Sequence, residues 1–133
     1  MKKAGKVLIG VIVGIVLLLF LGMFAMTKMV RSSYHELDSV PVTELADVAD
    51  GEYEGMAETP LVKVTVNVIV SDHKITDIQL LRHVNGKGES AESMIPEMIS
   101  QNTSEVDVVT GATMSSKTIR SAVRNALVKG SSK

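Results

Sequence analysis

Val62, Val64, Val66, Val68 and Val70 alternate with Lys63, Thr65, Asn67, Ile69 and Ser71, so valines recur at every second position. Successive side chains of a strand point to opposite faces, and this period of two predicts a strand with one valine face turned to a core. Ser71 to Lys74 supplies a turn, and Ile75 to Val84 a second β-type run with Ile78 and Leu80 on one face, which together predict an antiparallel hairpin. Asp50 to Glu58 adds a strand before them, where Gly51 and Gly55 suggest a bend or a close approach to the backbone. Further on the period changes. From Lys117, the residues Ile119, Ala122, Val123, Ala126 and Leu127 fall at i, i+3, i+4, i+7 and i+8, the spacing of one buried helical face. Ser115 and Ser116 are the expected caps of this helix, and Gly130 its expected end. Between hairpin and helix, Glu89 to Gln101 reads as a helix interrupted or restarted at Pro96, with Met94, Ile95, Met98 and Ile99 packing against the sheet.

The N-terminal part follows neither period. Val7 to Thr27 is an uncharged apolar run of 21 residues, about 32 Å as a helix and long enough for a bilayer core. Ala25-Met26-Thr27 is a poor match to a small-x-small cleavage site, so an uncleaved anchor is expected rather than a signal peptide. Lys2, Lys3, Lys6 and the terminal amine outweigh Lys28 and Arg31, which favours a cytoplasmic N-terminus and an extracytoplasmic remainder. The expected organisation is a membrane anchor over residues 1–31, a stalk with Pro41 over 32–49, and one small domain over 50–133. The fold class is α+β: a single transmembrane helix, then an antiparallel sheet packed by two helices.

Charge separates the two parts. All 15 acidic residues lie beyond Arg31, with only nine of the 14 basic ones, a net charge of −6 for the remainder. Such a domain lacks the basic footprint that neutralises nucleic-acid phosphates. With no cysteine, disulfides, thiolate catalysis, thiolate-held iron–sulfur clusters and c-type haem attachment are excluded. No His/Asp/Glu group has metal-ligand spacing, so no protein-bound metal is expected. Nor does any nucleophile, base and orienting group stand in a recognisable series, and no catalytic residue is assigned.

Immediately before the last helix stands Asp107-Val-Val-Thr110-Gly111-Ala112-Thr113-Met114-Ser115-Ser116. A helix start offers unpaired N–H groups and the positive end of the helix dipole, which suit a phosphate. Asp107, Thr110, Gly111, Ala112 and Thr113 match position by position the Asp-x-x-(Ser/Thr)-Gly-Ala-Thr motif. In this the chain resembles the FMN-binding domain family, found in flavin-carrying subunits of membrane-bound, ion-pumping NADH:quinone oxidoreductases and their ferredoxin-linked relatives. The resemblance implies FMN joined to Thr113 by a phosphoester, with Asp107, Thr110, Gly111, Ala112 and Thr113 read by the flavin transferase that moves FMN from FAD to the protein. It extends loosely upstream through Asp50–Gly55, the strand pair and His83. The family pattern often has a His followed by a Gly-containing loop; here Asn85-Gly-Lys-Gly88 replaces a longer one. Thr110, Gly111, Ala112, Met114 and Ser115 are expected to adjoin the cofactor; at the helix start the Lys117 side chain would add a charge interaction with the phosphate, and His83, at the place of the family's His, is a further candidate. Ser115 and Ser116 are alternative esterification sites ranked below Thr113.

Flavin chemistry would make the chain an electron-transfer module rather than a self-contained enzyme, relaying electrons between membrane and extracytoplasmic redox partners. The same residues also admit a Ser/Thr-rich turn that only caps a helix, and the chain would then be a flavin-free anchored cell-envelope module. A flavin reductase acting alone is a third reading. Outside the membrane run the aromatic residues are Tyr34 and Tyr53, so the isoalloxazine ring is expected to rest on Met, Val, Leu or backbone rather than on stacked aromatics.

Overall fold

The computed structural model describes residues 2–84 and 86–132. Asn85, the first residue of the loop that replaces the family's longer one, lies outside the described residues. The chain divides into two compact units, Met1–Ser32 and Ser33–Lys133.

The first unit is the greater part of helix α1 (Lys2–Ser39). Its large apolar side chains from Val7 to Met26 are all more than half exposed. By length and composition this helix is sufficient to cross a membrane.

The second unit is α+β, as the periodicities predict. Strands β1 (Gly51–Glu58), β2 (Lys63–Ser71) and β3 (Lys74–Val84) form an antiparallel meander in that order. Val64, Val66, Val68 and Val70 on the inner face of β2 are essentially inaccessible. Asp72 and His73 both take positive φ, 52° and 59°, as a two-residue hairpin turn requires to follow the right-handed strand twist. Helix α2 (Met94–Gln101) follows a 3-10 turn at Glu89–Ser93. Pro96 therefore sits in the first turn of α2, where its missing N–H breaks no helical bond. Met94 and Met98 are buried, with Ile95 and Ile99 partly so. Asn102 ends α2 in the left-handed conformation; its side-chain oxygen accepts from Ile75 N–H at 2.8 Å and its amide donates to His73 O at 3.3 Å, tying α2 to the hairpin turn.

Helix α3 (Thr113–Ser131) covers the valine face with Ile119, Ala122, Val123, Ala126 and Leu127, all fully buried. The close approach suggested by Gly55 is this helix. A Cβ at Gly55 would strike the Ala122 carbonyl and lie 2.7 Å from Ala126 N. Gly130 does not end α3 as expected. It lies within the helix, where a Cβ would meet Val48 at 2.6 Å and the Tyr53 ring at 2.7 Å, so its role is packing rather than termination.

The helix also begins earlier than the capping pattern suggests. Gly111 at φ +83° reverses the chain, and Ala112 becomes the N-cap, its carbonyl accepting Ser116 N–H at 2.9 Å. Ser115 and Ser116 are thus first-turn residues, not caps. The segment read as a stalk carries core residues: α1 continues to Ser39 and buries Leu37, and a 3-10 turn at Leu45–Asp47 leads to buried Val48.

Candidate functional site

An open cavity of about 480 Å³ lies at the start of α3. On one side stand Gly111, Ala112, Thr113, Met114 and Ser115; Leu61 and Val62, Gly86 to Gly88, and Tyr34 make the others. Its size is within the range of small-molecule sites. Ala112 supplies no side-chain cap. The first intrahelical bond is the one donated by Ser116, so the preceding N–H groups of Thr113, Met114 and Ser115 are the orphan donors of the helix start. These N–H groups, with the dipole behind them, make the place electrostatically suited to an anion.

The hydroxyls of the motif differ in access. Thr113 and Thr110 are exposed. Ser115 and Ser116 are 2% and 0% exposed, and both are engaged inward: Ser116 Oγ accepts Val109 N–H at 3.0 Å, and Ser115 Oγ is 3.2 Å from His83 Nε2. Asp107 and Thr110 are exposed on the approach to the helix. Met114 lines the cavity, and its sulfur accepts from Thr59 Oγ1 at 3.5 Å.

His83 stands behind this wall, its side chain 2% exposed. Strict alternation from Leu80 would turn His83 outward. A register shift in β3 pairs Val66 with Leu80 but Thr65 with Arg82, leaving Leu81 as an extra residue, so His83 faces Val64 on the inner side. His83 Nδ1 is 2.7 Å from Glu92 Oε1. A carboxylate only accepts, so Nδ1 carries the proton, and in the neutral ring Nε2 accepts from the Ser115 hydroxyl. The structure thus assembles a Glu92–His83–Ser115 series that no spacing along the chain indicates. It joins the 3-10 turn, β3 and α3 around the helix start, and no local sequence signal marks Glu92.

Lys117 already has partners for its charge. Its ammonium is 2.6 Å from Asp38 Oδ2 and 5.2 Å from the centroid of the Tyr34 ring. Tyr34 adds an aromatic ring to a cavity wall that otherwise offers Leu61, Val62 and Met114. Lys87 also lines the cavity, and the two glycines flanking it mark its loop in the sequence. Among the described residues no group of three or more His, Asp or Glu side chains is placed to hold a metal.

The loop before Thr113 is anchored by an ion pair. Glu105 accepts from Arg124 Nε at 2.7 Å and from Nη2 at 2.6 Å, a bidentate pair, and Ser104 donates to it at 2.8 Å. The Arg124 guanidinium holds the Glu105 carboxyl below its usual range, and Ser104 and Arg120 act in the same direction against the opposing effect of burial. Because the folded pKa lies below the unfolded one, this stabilisation is complete above the unfolded carboxylate value of about 4.3 and is lost as pH falls through the folded value. Glu105→Gln should cost about 2 kcal/mol at pH 7, below the ~3–5 kcal/mol of a fully buried pair because the Glu105 side chain is a third exposed. Urea unfolding at pH 7 and below pH 4 checks this: the difference between variant and wild type should shrink at the lower pH.

A comparison with protein families matches residues 61–128 to the FMN-binding domain. Among curated proteins the chain has no match. The matched stretch runs from the cavity wall at Leu61, through His83 and the loop, to the α3 start and most of that helix. With over half of its length matched, and with a cavity meeting the uncapped start of α3, the chain belongs to the FMN-binding domain family.

Proposed function

We propose that this chain is a membrane-anchored, extracytoplasmic flavoprotein domain that holds FMN through a phosphoester to Thr113 and relays electrons between membrane and extracytoplasmic redox partners. The observation that carries the covalent linkage is the access of the hydroxyls. Thr113 is an exposed residue lining the cavity at the helix start, whereas Ser115 and Ser116 are buried and bonded inward. A transferase can reach the first and not the others.

The residues fit the cofactor. The N–H groups of Thr113, Met114 and Ser115 suit phosphate oxygens, and Leu61, Val62 and Met114 offer apolar surface to a ring. Attachment exchanges one bond for another: the Thr113 oxygen takes the FMN phosphorus of FAD, AMP leaves, and the hydroxyl proton departs with it. FMN, when bound, accepts and passes on one or two electrons. The chain's own residues hold and orient. The Glu92–His83 pair fixes the Ser115 hydroxyl, and Gly111 keeps the approach to Thr113 free of a side chain. Asp107, exposed on that approach, repels a phosphate and is better suited to the transferase, either in recognition or through its Mg²⁺.

Intact-mass analysis of the full chain, produced with and without a flavin transferase, tests the reading. A gain of one FMN less one water, dependent on the transferase, is expected. An unchanged mass beside an active transferase would favour a flavin-free anchored module.

A further inference from the structure

One wall of the cavity comes from outside the matched residues 61–128. Tyr34 lies in the last turns of α1, within the second unit, and its half-buried ring lines the cavity together with Thr113. The ring is not free to wander. Lys117 sits 5.2 Å from its centroid, in cation–π range, and the same ammonium is paired with Asp38 four residues after Tyr34. Lys117 is itself four residues after Thr113, on the same side of α3. The residue that would carry the cofactor and the residue that holds the aromatic ring are thus neighbours on one helix.

A planar aromatic group attached at Thr113 and turned into this cavity meets Tyr34 as its aromatic neighbour, and offset stacking is the favoured packing of two such rings. We propose that Tyr34 packs against the isoalloxazine ring of FMN carried on Thr113, so that the C-terminal turns of α1 complete the cofactor site. This rests on the flavin reading above. It adds a cofactor-contacting residue supplied by the helix that bears the apolar run.

Contact with a tyrosine or tryptophan ring quenches flavin fluorescence by electron donation to the excited flavin, whereas phenylalanine does not. The chain has no tryptophan. Its other tyrosine, Tyr53, packs against Gly130, about 26 Å along α3 from Thr113. The experiment compares the full chain in detergent with Tyr34→Phe and Tyr34→Trp, each produced with the transferase. The readouts are FMN content by intact mass and fluorescence per bound FMN before and after denaturation. Tyr34→Phe removes only a hydroxyl and preserves packing. It should keep its FMN yet fluoresce several-fold more brightly when folded; Tyr34→Trp should stay as dim as wild type, and denaturation should bring all three to the same yield. Equal folded brightness in Tyr34→Phe and wild type, at equal FMN content, would overturn the role of Tyr34 alone. A wild-type chain without the mass gain would overturn the flavin reading and this contact with it.

Discussion

Thr113→Val should take covalent FMN from stoichiometric to none while leaving stability nearly unchanged. The substitution exchanges a hydroxyl for a methyl group at similar volume, and Thr113 is exposed, where replacements are usually within ~0.5 kcal/mol of neutral. The N-cap interactions do not suffer either, because the cap is the Ala112 backbone rather than a side chain. The neighbouring hydroxyls are poor substitutes: Ser116 is inaccessible, and Ser115 is buried against His83. Thr113→Ser, which restores an exposed hydroxyl, should restore labelling. In-gel flavin fluorescence after denaturation separates these variants. A label persisting on Thr113→Val would mean that another hydroxyl is the acceptor.

The second large effect concerns the scaffold. Gly55→Ala places a Cβ against the Ala122 carbonyl and within 2.9 Å of Ala126 Cβ. The first of these is helix backbone and cannot rotate away, so α3 must shift off β1. Overpacking costs typically ~1–3 kcal/mol, and a backbone obstacle puts this case at about 3 kcal/mol or more. For a domain of this size that lowers Tm by roughly 12 °C or more. Gly111→Ala provides the contrast: nothing lies within 4 Å of its Cβ, but φ is +83°. Its cost is conformational alone, about 1–2 kcal/mol. Thermal unfolding of the two variants distinguishes a steric from a backbone requirement, and a Gly55→Ala protein as stable as wild type would contradict the close packing of α3 on β1.

The parts of the fold that repeat with a period were legible in the sequence. Valine alternation in β2 and the i, i+3, i+4 spacing from Ile119 to Leu127 each mark one buried face, because the geometry of a strand or helix imposes the repeat. The motif from Asp107 to Thr113 was legible as a string of residue types. What escaped depends on a single residue or on distance along the chain. The extra residue at Leu81 reverses the facing of His83 and brings it to Ser115; alternation alone points it to solvent. The left-handed Gly111 moves the helix start ahead of the serines that pattern alone makes caps. Tyr34, 79 positions from Thr113 in sequence, joins it at one cavity only because α1 runs beyond its apolar stretch to Ser39. Charge pairing was equally silent: Glu105 and Arg124 are separated by 19 residues, a spacing no local rule connects.

The most direct measurement is fragment-ion mass spectrometry of the tryptic peptide Gly88–Lys117, taken from the full chain after production with the flavin transferase. That peptide contains Thr110, Thr113, Ser115 and Ser116 together, so fragmentation between them assigns the acceptor. The account predicts a single FMN phosphoester on Thr113. An FMN on Ser115 or Ser116, or a peptide without FMN beside a demonstrably active transferase, would contradict it.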